Sequence, residues 1–302
     1  MNKKTKKQLT ELFPKTKFLE PLSSHSTFRI GGQADAFIEL KDLAVLKDFL
    51  KFCKQNSLPY HVIGGGSNIL FHDKGFRGLI IKLTAKQIDI KKNTLTAEAG
   101  ASLSLAVVKA EKQGYKNLTP LKGIPGTIGG AIRGNAGARG LEIKDILTHA
   151  EILNPTTGRI TKASPQTLKM TYRHTALKGT PKIVLKATIK LSKRKPKLGA
   201  DPISWRLQNQ PGGHSAGSFF KNPAPTSTHP QPLSAGYLID QCGLKGHTIG
   251  KAKISDKHAN FFQNLGGATQ KDVLALAKLA KQKVYTRFKI RLEEEVQAIP
   301  QK

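Results

Sequence analysis

The chain is poor in acids, aromatics and cysteine. Its 302 residues carry 50 Lys and Arg against 20 Asp and Glu, a formal net charge of +30, with 6% aromatic residues and two cysteines. Cys53 and Cys242 lie far apart among apolar neighbours, which fits buried, reduced thiols better than a disulfide scaffold and leaves a single disulfide open. No apolar run approaches membrane-spanning length, and the basic start MNKKTKKQLTELF leads into no apolar signal core, so a soluble, cytoplasmic protein without membrane insertion is expected. The nine histidines fall singly, without paired ligand spacing, so no metal is expected. A surface this basic attracts nucleic acid, anionic membrane or acidic metabolites. Yet the cations are spread rather than blocked, and no zinc-finger, helix-turn-helix or RNP-like pattern occurs, so no specific nucleic acid is expected as partner. Also missing are the G-x-G-x-x-G fingerprint and the lysine-bearing phosphate loop of NTPases, which argues against a nicotinamide domain of the usual kind.

What the chain has is glycine in clusters. Residues 123 to 137 read GIPGTIGGAIRGNAG, and residues 62 to 70 read VIGGGSNIL. Either is a run of tight turns or a place where backbone comes close to a flat or phosphate-bearing group. Two such loops in one chain favour a dinucleotide, with the hydroxyl of Ser67 and the amide of Asn68 as added donors. The candidate contacts are Ile63, Gly64, Gly65, Gly66, Ser67 and Asn68 in one loop, and Gly123, Pro125, Gly126, Thr127, Gly129, Gly130, Asn135 and Gly137 in the other.

A hydrophobic content of 38% suffices for one large or two moderate domains. Residues 1–22 read as a helical or loose lead-in. A strand over 36–40, a helix from Asp42 carrying Leu43, Leu46, Leu50 and Cys53, and strands over 61–63, 78–83 and 95–99 follow. Ser102 to Gln113 has Leu103, Ala106, Val107 and Ala110 on one helical face, stopped by Gly114. A hairpin turns at 154–158, and Ile183, Leu185, Ala187, Ile189 and Leu191 alternate as a strand. The segment KRKPK at 193–197 reads as a linker. Beyond it, helices are expected over 233–242 and 269–284, the second capped by Thr269 and Asp272. A last strand alternating Phe288, Ile290 and Leu292 would end in Glu293, Glu294 and Glu295.

Eight ordered motifs then point one way: TFRIGGQAD at 27–35, IGGGSN at 63–68, GIPGTIGGA with NAG at 123–137, TYR at 171–173, SAGSFFKNP at 215–223, SAGYLIDQCGLKG at 234–246, ISDKHANFFQN at 254–264 and LEEEV at 292–296. In this the sequence resembles the UDP-N-acetylenolpyruvoylglucosamine reductases, also called UDP-N-acetylmuramate dehydrogenases, over about residues 22–299. The resemblance implies an α+β protein: a two-subdomain FAD-binding fold of the vanillyl-alcohol oxidase type over 23–192, then a smaller α/β substrate domain over 193–302. It implies FAD as bound cofactor, NADPH as co-substrate and UDP-N-acetylglucosamine enolpyruvate as substrate; a monomer is expected, though the sequence does not fix the oligomeric state.

That chemistry builds enolate charge on a carboxylate and needs a cation there and an acid at the α carbon. By resemblance Ser218 is the proton donor, Arg173 the carboxylate's support and Glu295 the polarising or relaying acid. Strand alternation alone puts Glu293 and Glu295 on one face and does not choose between them; the family's L-E-x-E-V pattern chooses Glu295. Further substrate contacts would come from Tyr172, Arg206, Lys221, Asn222, Gln241, Lys245 and Asn264, whose bland reading is surface polarity. Two departures stand out: Thr175 where the family commonly has serine, and the cation Arg133 near the expected flavin. The short interval from Arg173 to Ser218 is similar to the subclass without an inserted tyrosine-bearing loop. The rival readings are another flavin oxidoreductase of the same fold, or a nucleic-acid-binding protein on this scaffold.

Overall fold

The computed structural model describes residues 1–225, 227 and 230–301. The chain divides into two compact units, one of Met1–Leu19, Asp35–Gly65 and Gly78–Trp205, the other of Glu20–Ala34, Gly66–Arg77 and Arg206–Lys302.

The first unit is built mainly on two sheets. In one, strands Lys17–Pro21, Gln33–Leu40, Phe76–Leu83 and Tyr60–Ile63 lie side by side in that order, the last two parallel, with Val62 opposite Ile81. Helix Leu46–Gln55 buries Leu46, Phe49, Leu50, Phe52 and Cys53 in a core shared with Ile38, Leu40, Leu79 and Ile81. It starts later than the expected Asp42, because the Asp42 carboxylate accepts the Ala44 N–H at 2.8 Å and holds a turn there. The lead-in forms helix Lys3–Leu12, capped by the Asn2 side chain on the Thr5 N–H, and a strand, Lys17–Pro21, that the sequence did not announce.

The other sheet is antiparallel throughout, in the order Ile160–Ala163, Leu147–Leu153, Ile183–Lys190, Thr94–Glu98 and Ile88–Lys91. The alternation over 183–191 holds, with Ile183, Leu185, Ala187, Ile189 and Leu191 all buried. The expected hairpin closes through the Gly158 N–H on the Asn154 carbonyl at 2.8 Å. Helix Leu103–Lys112 buries the four residues predicted for its inner face; Ser102 caps it on the Leu105 N–H, and Gly114 follows at φ +85°. Helices packed with two sheets agree with the expected α+β class.

The second unit packs helices Ala235–Gln241 and Gln270–Phe288 with a small antiparallel sheet of Thr248–Ile249, Ala252–Ile254 and Phe262–Asn264. A parallel pair joins Gln297–Ile299 to Ile69–Phe71. The long helix is over-determined at its start. Thr269 and Asp272 form the expected reciprocal capping box, and the Asp73 carboxylate takes the Gln270 and Lys271 N–H groups at 2.5 and 3.2 Å. Together these satisfy donors that a helix start leaves orphaned. The hydrogen bonds from Thr269 hold the Asp272 carboxyl below its usual range.

The predicted last strand does not form. The helix runs on to Phe288 and stops at Lys289, which adopts φ +57° and returns its N–H to the Tyr285 carbonyl. Phe288 packs against the core four residues beyond buried Val284, so the helical stripe outlasts the alternating one. Ile290 and Leu292 are buried all the same, in an extended segment whose one bridge joins Glu294 to Phe220. Among the described residues no helix is long and apolar enough to cross a membrane.

Both cysteines are free thiols. Burial pushes the Cys53 thiol up to about 12, whereas Cys242 is half-buried and raised less far from its ordinary value, with Arg287 and Lys283 opposing the shift. A thiolate is the reactive form. Titration of the folded protein with a disulfide reagent at pH 8 should therefore label Cys242 alone, with Cys53 reacting only after denaturation; two fast native equivalents would contradict this packing.

Candidate active site

In the first unit the two glycine clusters meet. A Cβ on Gly64 would lie 2.3 Å from Thr127 Oγ1, and one on Gly65 would lie 3.2 Å from the Gly126 Cα. At Gly64 no larger residue allows that approach, and at Gly65 one would crowd the Gly126 backbone. The second cluster is less open than its glycines imply, because residues Ile128–Gly134 wind into a short helix capped by the Thr127 side chain. Ile128 N–H donates to the Ala101 carbonyl at 2.8 Å and Gly129 N–H to the Ala99 carbonyl at 2.9 Å. Gly130 N–H goes to Thr127 Oγ1 and Gly123 N–H to Ser104 Oγ, both at 3.3 Å. These positions offer close backbone rather than unused donors.

Asn135 is expected to touch a cofactor, and in the structure its side-chain amide is engaged within the protein. It ends the short helix in the left-handed region at φ +45° and is fully buried. Its Nδ2 donates to the Glu142 carboxylate at 3.0 Å and the Thr171 carbonyl at 2.8 Å, while its Oδ1 accepts the Lys144 N–H at 3.0 Å. Its amide is committed to tying three segments together.

Arg173 sits beside that knot at φ +53°. Its guanidinium donates to the Gly137 carbonyl at 2.7 Å, reaches the Asn135 carbonyl at 3.4 Å, faces Glu142 at 3.7 Å and lies over the half-exposed Tyr172 ring at 5.0 Å. Arg133, flagged as a cation near the flavin, instead donates to the Thr180 and Lys182 carbonyls at 3.0 and 3.2 Å. Thr175 is buried and its hydroxyl donates to the Arg133 carbonyl at 2.9 Å, so the departure from serine keeps the hydroxyl in use.

In the second unit the glycine loop continues through Gly66, whose φ of +67° and whose approach to His25 would put a Cβ 2.0 Å from the His25 carbonyl oxygen. Only glycine fits. Thr27 N–H donates to the Gly66 carbonyl at 3.2 Å. The neighbouring hydroxyls of Ser26 and Thr27 are buried and have no protein partner. Asn68, expected to face a phosphate, spends its Nδ2 on the Glu295 carbonyl at 3.0 Å.

That bond leads to the Ser218 segment. Ser218 bridges to Phe261 and Phe220 to Glu294. Phe219 N–H donates to the Asn260 carbonyl at 2.7 Å, the Phe219 carbonyl accepts the Glu295 N–H at 2.8 Å, and Lys221 N–H donates to the Glu293 carbonyl at 2.9 Å. The ladder brings Ser218 and Glu295 onto neighbouring segments. Of the other acids, Glu293 pairs with Lys221 and Glu294 with Lys281.

Asn222 Oδ1 accepts the Ala235 N–H at 3.1 Å, at the start of helix Ala235–Gln241. Arg206 donates to the Gln210 side chain at 3.2 Å, Gln241 accepts Arg287 on its backbone carbonyl, and Lys245 pairs with Asp240 at 2.6 Å. Asn264, expected as a substrate contact, has its side-chain amide engaged within the protein. It is buried, its Nδ2 donates to the Phe28 and Arg29 carbonyls and its Oδ1 accepts the Gly266 and Ala268 N–H groups. All four places of its amide are filled. His258 is a packed ring: Nδ1 accepts the Asn260 N–H at 3.2 Å, and burial pushes its pKa down.

Comparison with known proteins gives one consistent result. A family model described as UDP-N-acetylenolpyruvoylglucosamine reductase, C-terminal domain, matches residues 208–299, and one described as FAD binding domain matches residues 34–164. The chain is 37% identical to the UDP-N-acetylenolpyruvoylglucosamine reductase of Alkaliphilus oremlandii, covering 98% of each. It is 40% identical to that of Chloroherpeton thalassium, covering 92% of this chain and 91% of the relative. The crystal structure of the Thermus caldophilus UDP-N-acetylenolpyruvylglucosamine reductase is similar at TM-score 0.76 and 34% identity, covering 94% of this chain and 98% of the other.

The residues present fit FAD. The hydroxyls of Ser26 and Thr27 beside Gly66 are buried donors without a partner, and a buried unpaired hydroxyl costs stability until a ligand satisfies it. A diphosphate oxygen is the acceptor such donors suit. Sequence reading missed the pair, although Thr27 opens one of its motifs. Thr27→Val should leave the apoprotein's melting temperature unchanged or higher while raising the FAD dissociation constant about 10-fold, the scale of one hydrogen bond to a charged group. Flavin fluorescence titration and a thermal melt check this; a destabilised apoprotein with unchanged FAD affinity would contradict it.

Proposed function

The chain belongs to the UDP-N-acetylenolpyruvoylglucosamine reductase family, and from that membership we propose that it reduces the enolpyruvyl ether of UDP-N-acetylglucosamine to UDP-N-acetylmuramate for peptidoglycan precursor synthesis. NADPH is the reductant and the reaction takes place in the cytoplasm. In this reading residues 23–192 hold FAD and residues 193–302 take the sugar nucleotide. Bound FAD supplies the hydride chemistry between NADPH and the enolpyruvyl double bond.

The chain's own residues then meet the charge that hydride addition creates. A hydride on the vinyl carbon leaves enolate charge on the adjoining carboxylate, and a proton on the α carbon completes the lactyl ether. Ser218 gives that proton from its hydroxyl. Arg173, whose main-chain bend and anchoring on the Gly137 carbonyl fix its guanidinium, stabilises the carboxylate charge. Glu295 polarises the same group or returns the proton to Ser218. The ladder carrying Ser218 next to Glu295 is the observation that supports these roles most directly. Tyr172, Arg206, Lys221, Asn222 and Gln241 complete the contacts to the sugar nucleotide. The net charge of +30 draws both polyanionic substrates toward the protein.

Ser218→Ala tests the assignment. Reduction of the flavin by NADPH should stay near wild type, while reoxidation by UDP-N-acetylglucosamine enolpyruvate should fall by about 10²- to 10⁴-fold, the usual worth of a positioned acid. Anaerobic stopped-flow absorbance follows both half-reactions; unimpaired reoxidation would remove Ser218 from the role.

A further inference from the structure

The segment that carries Ser218 is anchored before it through the bridge of His214 to Asn264 and after it through Phe219 and Phe220, with a glycine between. Gly217, immediately before it, adopts φ +76°, and a Cβ there would meet nothing within 4 Å. Its N–H reaches Ser215 Oγ only at 3.5 Å. Glycine at this φ is a conformationally permissive link between Ala216 and Ser218. With a permissive glycine just before it, Ser218 takes its position from its own bridge to Phe261 and from the residues after it.

Those residues are held by Asn260. Its main-chain carbonyl accepts the Phe219 N–H at 2.7 Å. Its side chain accepts the Phe220 N–H on Oδ1 at 2.9 Å and donates Nδ2 to the Phe220 carbonyl at 2.8 Å. The amide thus imitates the two-way pairing of a strand residue with Phe220, and only an amide side chain of this length presents acceptor and donor together. Asn260 is itself 2% exposed and is oriented by its own N–H on His258 Nδ1. A shift of the Ser218 segment by one residue would break these bonds where water does not replace them. The mechanism above gives Asn260 no chemical task, and a buried asparagine that grips the two residues after the acid calls for an explanation.

We propose that Asn260 is the positioning residue for proton delivery: by clamping Phe219 and Phe220 it holds the Ser218 hydroxyl at the place from which it protonates the α carbon. This rests on the reading of Ser218 as the proton donor. Asn260 does not touch the reacting atoms, so its loss acts on the distance of a proton transfer and not on flavin reduction.

The experiment compares FAD-loaded wild type, Asn260→Ala, Asn260→Asp and Ser218→Ala in anaerobic stopped flow. NADPH is the reductant and UDP-N-acetylglucosamine enolpyruvate the oxidant, in H2O and in D2O. Asn260→Ala should reduce normally and reoxidise about 10- to 100-fold more slowly, the scale of an ångström of misplacement, with a larger solvent isotope effect on reoxidation than wild type. Asn260→Asp keeps the size and the acceptor for the Phe220 N–H, serves if the alanine variant does not fold, and should fall between alanine and wild type. A general structural role would slow both half-reactions alike or strip FAD from both variants, and either result overturns the proposal. If the Asn260 variants reoxidise like wild type while Ser218→Ala is impaired, the inference about Asn260 fails alone; unimpaired Ser218→Ala overturns both readings together.

Discussion

The peptide of Phe219 is hydrogen-bonded on both sides, its N–H to the Asn260 carbonyl and its carbonyl to the Glu295 N–H. A buried main-chain group must be paired, and here the pairing joins three stretches distant in sequence. The side chains make the same join: Phe219 stacks on Phe262 at 4.5 Å between ring centroids, and Phe220 meets both rings edge-on. Both Phe219 and Phe220 are 1% exposed, and removing either ring would cost about 3–5 kcal/mol by transfer and cavity terms. Hydrophobic packing supplies most of the energy of this junction, while the hydrogen bonds supply its register. Asn68 extends the junction to the end of the glycine loop through the Glu295 carbonyl.

A second constraint, in the first unit, is steric. Gly64 comes against Thr127 closely enough that a side chain there would collide, and a side chain at Gly65 would press on the Gly126 backbone. Thr127 has a double task, since the same hydroxyl that lies against Gly64 caps the short helix through the Gly130 N–H. Behind it, Asn135 and Arg173 bind the helix end, the Gly137–Glu142 hairpin and the TYR segment into one piece. The glycines matter for what they leave out, and the polar residues around them are largely spent on holding loops in shape.

This division explains what the sequence disclosed and what it did not. Features set by local periodicity and caps were legible: the inner face of Leu103–Lys112, the Thr269 and Asp272 capping box, the alternating strand from Ile183. The final strand was misread because Phe288, Ile290 and Leu292 satisfy an alternating pattern while Val284 and Phe288 satisfy a helical one, and the choice is made by packing against the core. Asn135 and Asn264 carried the look of ligand contacts because a polar residue in a glycine-rich motif reads the same whether its amide faces a ligand or a carbonyl. The reverse held for Ser26 and Thr27. Their want of a partner is a fact of tertiary burial, invisible in a string of residues.

The most direct test of the account is the visible spectrum of the FAD-loaded protein, taken without oxygen, on successive addition of NADPH and UDP-N-acetylglucosamine enolpyruvate. The account predicts that the flavin band bleaches with NADPH and returns in full with the enolpyruvyl compound, one UDP-N-acetylmuramate appearing per flavin reoxidised. A protein that takes up no flavin, or a reduced flavin that the enolpyruvyl compound leaves reduced, would contradict it.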